Sequence, residues 1–181
     1  MDQAEYLSSY TFESVLLESE RMGVSLELKH MVTDLEIFEH IDKPYLNATI
    51  VFIDDADIYA GTDILGGETI TVTLKSTHQG SKPITKRFYI RNVISVSKVN
   101  ETSQAIMLNL IEDIAYISNL LNINKSYSGT ATDILSKISK NYLDKNIIST
   151  GNDRQSTKLI VPNMDPIEAM SWIKNRATTV D

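Results

Sequence analysis

The chain contains no cysteine, which excludes disulfide staples, thiolate zinc sites and cysteine nucleophiles together. Stability must come from burial, strand pairing or assembly. Long apolar runs are also missing. The longest stretches, such as residues 50–53, have strand length, far short of the roughly 18 residues that mark a membrane-spanning helix. The opening MDQAEYLSSY carries two acids and no basic segment leading into an apolar one, so no secretory signal is expected. Basic residues are outnumbered, 17 against 24 acids, for a formal charge of −7. That balance argues against a general grip on nucleic acid, which needs clustered Lys and Arg to neutralise phosphates, and it is compatible with a surface or duct that repels nucleic acid. Seven glycines and four prolines leave no stretch rich enough to be a long linker, and no internal repeat is visible.

What is present is enough for one full core, or one core and a small satellite: 181 residues, 42% of them hydrophobic. From Phe12 to about Ile111 the apolar residues mostly follow period two, the pattern of strands with one buried face. Val15 and Leu17 begin it, and Val24, Leu26 and Leu28 follow the break at Met22-Gly23. Leu35, Ile37 and Ile41 mark a stretch ending at Asp42-Lys43-Pro44, and Leu46, Ala48, Ile50 and Phe52 mark the next. Residues 54–58 are too acidic and broken for a strand and predict a connection, which Gly61 and Gly66-Gly67 extend. Ile70, Val72 and Leu74 alternate with threonines, whose branched side chains suit a pleated surface. Phe88, Ile90 and residues 93–96 predict another strand, Asn100 to Ser103 a turn, and Ile106, Leu108 and Leu110 a last strand. Loops this short imply hairpins and antiparallel pairing.

Near Ile111 the period changes to helical at Ile114, Ile117, Leu120 and Leu121. Thr130 with Asp133 gives an N-cap signal for a helix carrying Ala131, Leu135, Ile138 and Tyr142. Residues 158–161 predict a short strand. Asp165 as cap, Pro166 at the first helical position and Glu168 third start another helix, with Ala169, Trp172, Ile173 and Ala177 as its buried stripe. Two amphipathic helices and one short strand expose apolar stripes with little chain to cover them, so the second half is expected either to pack on the β-domain or to be a fragment of a longer protein.

Candidate chemistry is sparse. His30, His40 and His78 fall on different predicted elements. His40 follows Glu36 and Glu39, so a metal site is conceivable there, but solvated strand or turn residues are the stronger reading. Asp54, Asp55 and Asp57 imitate the start of a calcium loop but lack the glycine and the distal glutamate it needs, so a hydrated surface loop is expected. Gly66-Gly67 lacks the surroundings of a phosphate loop and precedes a strand, which makes it a tight turn. Paired carboxylates could be assembled from many of the acids and support no glycosidase claim. No G-x-S-x-G elbow is present, and the Asn47-Ala48-Thr49 glycosylation pattern means nothing without a secretory signal. Lys82, Lys86, Arg87 and Arg91, with Phe88 and Tyr89 among them, are the one basic concentration. A strand with a charged solvent face explains them better than a nucleic-acid stripe. Trp172 is expected in core packing rather than as a ligand platform. No catalytic, cofactor-binding or metal residue is assigned, no cofactor is implied, and interface residues stay unassigned.

Two stretches and the order of elements resemble one family. Residues 34–54, DLEIFEHIDKPYLNATIVFID, closed later by Gly67-Glu68-Thr69-Ile70-Thr71-Val72, resemble the strand, kink, strand, loop and G-x-E-x-I-x-V run of baseplate hub proteins from contractile bacteriophage tails and related injection systems. Residues 127–135, YSGTATDIL, and 162–173, PNMDPIEAMSWI, are similar to the helix, strand and capped helix that open the next domain of those hubs. The resemblance covers nearly the whole chain and rests on pattern and order. It implies an α+β chain: an antiparallel β-barrel of the tail-tube type over 1–113, then over 114–181 the start of an inserted α/β domain with two amphipathic helices, cut short.

The same resemblance implies a non-enzymatic structural role in the virion tail baseplate, made in the host bacterial cytoplasm. A central hub subunit would join the tail tube protein to the central spike or tip protein and line part of the channel for DNA. In the full-length family, three subunits with two barrels each form a pseudo-sixfold homotrimer that matches the sixfold tube. Only one barrel is present here, so the adaptor role would be partial. A hub of a cellular contractile injection or secretion system is the alternative, and a peptidoglycan-cleaving tail enzyme a weaker one. No sequence-specific nucleic acid and no membrane segment are expected.

Overall fold

The computed structural model describes residues 10–62, 64–76, 80–149 and 155–177. The chain divides into two compact units, Met1–Asp113 and Ile114–Asp181. The first holds β1 (Tyr10–Ser19), β2 (Val24–Glu27), β3 (Val32–Phe38), β4 (Asn47–Asp54), α1 (Ile58–Thr62), β5 (Thr69–Ser76), β6 (Ile84–Lys98) and β7 (Gln104–Glu112). These strands make one sheet in the order β2-β1-β5-β6-β7-β4-β3, with every neighbouring pair antiparallel.

Period two sets which face is buried. In β4 burial alternates without a break, Ala48, Ile50 and Phe52 being inward, and register places Leu110, Leu108 and Ile106 of β7 directly opposite them. Val15 and Leu17 likewise face Val72 and Ile70, and Ile70 faces Phe88. All of these side chains are at most 1% exposed and belong to one cluster, each contributing about 1.5–3 kcal/mol if a larger apolar residue. A flat sheet with only the short α1 and its loop (Ile58, Tyr59 and Ile64) packed on it could not bury a whole face this way, so the sheet is curled into a half-barrel around its own inner side chains. Breaks in the β6–β7 register at Ile90/Asn92 and Val93/Ser95 give the long strand β6 the extra residues that bending needs.

A corner closes the curl on one side. Leu28 N–H donates to Val15 O (2.7 Å) and Ile53 N–H to Met31 O (2.9 Å), so the link from β2 to β3 carries the chain from pairing with β1 to pairing with β4. Leu28 sits at that bend with 0% exposure. Beyond the corner β2 and β3 are the two edges of the sheet. The curled sheet is thus open along its edges among the described residues, where a barrel was expected. Ile37 and Ile41, expected with a buried face, are 38% and 101% exposed, because β3 has no strand beyond it and Ile41 lies in the following loop.

The second unit holds α2 (Asp113–Asn119, whose first residue belongs to the first unit), β8 (Ile123–Gly129), α3 (Ala131–Leu143), β9 (Thr157–Met164) and α4 (Pro166–Lys174). β8 and β9 form an antiparallel two-stranded sheet. Its core joins Ile123, Tyr127 and Val161 of the hairpin to Ala131, Ile134 and Ile138 of α3 and Ala169 and Ile173 of α4. Strand β8 was not expected, since INKSYSG is polar apart from Ile123 and Tyr127 and a register break at Ile123/Lys125 spoils its alternation.

Caps fix the helix ends. Thr130 accepts from Asp133 N–H (3.1 Å) and Asp133 accepts from Thr130 N–H (3.4 Å), a reciprocal box. Asp165 accepts from Glu168 N–H (3.0 Å), and the Ser118 hydroxyl donates to Asp165 (2.7 Å) while accepting from Ile167 N–H (3.0 Å). Pro166 takes the first position of α4. The stripe of α4 is shorter than its periodicity suggests: Ala169 and Ile173 are buried, but the helix ends at Lys174 and Ala177 is exposed. Leu120, read as helical, is 67% exposed beyond the end of α2. In α3 the fully buried positions are Ile134 and Ile138, while Leu135 and Tyr142 pack at their margin.

Candidate functional site in the edge strands

The residues with catalytic or metal-binding potential do not converge. His30 and His40 are exposed on separate connections of the first unit, and His78 lies outside the described residues. Among the described residues no three His, Asp or Glu side chains meet at ligating distance. Asp54 is a correction to the hydrated-loop reading. It is 1% exposed and accepts from the backbone N–H groups of Ala56 (3.2 Å), Ile58 (2.9 Å) and Tyr59 (2.9 Å), so it caps α1. Asp55 and Asp57 are exposed.

Gly66 and Gly67 form the turn into β5 with φ of +102° and +92°, a region closed to most side chains. Gly66 N–H donates to the Glu68 carboxylate (2.9 Å), which is nearly buried and sits 3.7 Å from the Arg21 guanidinium.

The basic concentration is divided between two faces of β6. Lys86 stands opposite Val72 on the inner face and pairs with Glu112 (3.2 Å). Both are partly exposed, so the pair adds little stability, but Glu112 also accepts from Leu46 N–H (2.9 Å) and so ties the start of β4 to the end of β7. This cluster, with Lys43 and Tyr45, borders an open depression of about 450 Å³. Arg87 lies on the outer face, near the Thr69 hydroxyl (3.4 Å) and over the Tyr89 ring (5.9 Å).

In the second unit Trp172 is half-buried at the margin of the core. The Arg176 guanidinium lies 4.0 Å from its ring centroid and donates to its carbonyl (3.1 Å). The Tyr127 hydroxyl is buried with no partner at bonding geometry. Burial first, then the neighbouring Tyr142 phenol, push its pKa up to about 12.

What the first unit does offer is unsatisfied backbone along its edges, the natural means by which sheets recruit other strands. Edge β2 is protected. It is only four residues long, and Glu27 folds back from it to accept from Ser14 Oγ (2.5 Å), Val15 N–H (2.6 Å) and Lys29 N–H (3.0 Å). Partial burial raises the Glu27 pKa, but those bonds and the Lys29 charge outweigh it and hold the group below its ordinary range.

Edge β3 is longer, at seven residues, and it ends in exposed Ile37 and Phe38. A third free edge lies within the sheet. β5 pairs with β6 only from Ile84 to Tyr89, and Ile90 is held by Gly67 and Glu68. Past that point β6 pairs with β7 alone, so its other side is open along residues 91–98 among the described residues. There Ile94 and Val96 are 48% and 42% exposed. Alternation in residues 93–96 predicted the strand; only the pairing register reveals that one side of it is bare.

No protein-family model matches the chain, and no curated protein sequence matches it. Solved structures are similar. The tail protein from Neisseria meningitidis MC58 aligns over 92% of this chain and 45% of its own, with a TM-score of 0.54 and 15% identity. A lidless PdpA-VgrG complex aligns over 85% of this chain and 28% of its own at TM-score 0.43 and 13% identity. The lidded Francisella PdpA-VgrG complex aligns over 87% and 23% at 0.41 and 14%. This chain therefore spans less than half the length of each of these three chains. At 15% identity the likeness to the tail protein is one of fold: a mostly antiparallel, curled sheet accompanied by a few helices.

Proposed function

We propose that this chain is a structural module of a tail baseplate, part of a central hub subunit that joins the tail tube to the spike or tip and helps line the channel for DNA. The observation that carries the reading is the curled sheet, with the fold of a tail protein along 92% of the chain and with bare strand edges where a neighbour can add. The acidic balance, 24 against 17, suits a duct through which nucleic acid passes without sticking. The hub role belongs to the longer protein, acting as a homotrimer in the virion tail.

The module is not an enzyme on this reading. The scattered histidines and the structural use of Asp54 and Glu112 support a scaffold in preference to a reaction site. The test is to incubate the purified chain, and separately its full-length relative, with tail tubes of the same phage or injection system and image them by electron microscopy. Density capping tube ends is expected, with rings or trimers of the full-length protein. A stable monomer with no affinity for tube ends would overturn the proposal, as would a clearing zone on a peptidoglycan zymogram for its non-enzymatic part.

A further inference from the structure

Helix α1 is five residues long, too short to persist on its own hydrogen bonds, so it forms because other elements grip it. Its first turn is held by the Asp54 carboxylate at the end of β4, which accepts from the N–H groups of Ala56, Ile58 and Tyr59. Its last turn is held from elsewhere. Arg21, in the turn between β1 and β2, donates to the Thr62 carbonyl (3.4 Å) and lies 3.7 Å from the Glu68 carboxylate just ahead of β5. An anion thus stands at the start of the helix and a cation at its end, the signs that each end of the backbone favours. Ile58 and Tyr59 lie between the two grips and pack against the apolar cluster of the first unit.

The two grips differ in strength. Asp54 is buried and makes three bonds. The Arg21 side chain is nearly half exposed, and its bond to Thr62 is long. Glu68 is itself buried and tied to Gly66 N–H, so of the pair it is Arg21 that can move. Asp57, directly ahead of α1, takes φ of +53°, which costs energy for a residue with a β-carbon and works against the closed form.

We infer that α1 is a strap, anchored at its start by Asp54 and latched at its end by Arg21, that opens as a unit while the sheet stays folded. No strand of the sheet pairs through residues 58–62, so opening costs the Arg21 contacts and the packing of Ile58 and Tyr59 and leaves the ladders intact. Segments held in this way sit at the low end of a protein's range of local stabilities. The latch belongs to the turn that joins β1 to β2, so whatever draws that turn away releases α1 and bares the apolar surface beneath Ile58 and Tyr59. The inference does not depend on the role proposed above.

Hydrogen exchange of the full chain, followed by mass spectrometry, tests it. Arg21→Ala should speed exchange at residues 58–62 by about tenfold, the size of one lost hydrogen bond to a charged group, with β6 and β7 unchanged. Arg21→Lys, which keeps the charge and a donor, should recover part of that protection. Chymotrypsin, which cuts after aromatic residues, should nick Arg21→Ala at Tyr59 faster than the unaltered chain. Added salt should act in the same direction on the unaltered chain, since an exposed charge is screened. Unchanged exchange at residues 58–62 in Arg21→Ala would overturn the latch. Equal acceleration across α1 and strands β5, β6 and β7 would overturn the separate opening of the strap.

Discussion

The two units hold themselves together by different means. In the first, order is long-range: Tyr10 pairs with Ser76 and Asn47 with Ile111, and one continuous apolar surface is sealed by rolling the sheet over it. In the second, order is local. A hairpin and two helices meet around a handful of side chains, and the elements are pinned at their ends by Thr130, Asp133, Asp165 and Ser118. The rolled sheet is held by strand pairing and its buried face, while the smaller unit, a two-stranded sheet with two capped helices, depends on its caps.

The largest effect should come from the rolled core. Phe52→Ala removes a fully buried ring and should destabilise the first unit by about 3–5 kcal/mol, read as a lower urea midpoint of the far-UV circular dichroism. Ile138→Ala, also at 0% exposure, should destabilise the second unit by about 2–5 kcal/mol. Trp172, the single tryptophan, lies in that unit, so its fluorescence is the measurement. If Phe52→Ala lowers the fluorescence midpoint as much as the dichroism midpoint, the contrast between two separate cores is broken.

Thr130→Ala, which removes the α3 cap, should cost about 1 kcal/mol by the same fluorescence, and Thr130→Ser should recover most of it. The smallest effect is set by pH. Glu27 has a folded pKa below its ordinary value of 4.5, so its contribution is present above that value and is lost as pH falls through the lowered folded one. Glu27→Gln should flatten that acid limb of stability, and an unchanged acid limb would mean that β2 is not held by this carboxylate.

Legibility followed the same division. Alternation in Ala48-Ile50-Phe52 and in Ile106-Leu108-Leu110 announced both strands and their buried face, because period two is a direct image of the pleat. Caps announced α3 and α4 through Thr130 and Asp165-Pro166, because the first turn of a helix demands particular side chains. What could not be read depends on neighbours. Ile37 alternates as buried residues do but lies on an edge strand, and Ile94 is the extra residue at the Val93/Ser95 register break, so both are exposed. Asp54 looks like loop acidity until three backbone donors are brought to it. Strand β8 exists because β9 pairs with it, and nothing in its own polar sequence requires that. The division of Lys86 from Arg87 is visible in the strand period, yet their treatment as one basic group obscured it.

The bend at Leu28 has a mechanical meaning. Since residues 28–31 fasten both margins of the sheet at one corner, the half-barrel works as a rolled strip held by a single clasp. A substitution that changed the backbone angle at Leu28 would therefore turn β2 and β3 relative to one another.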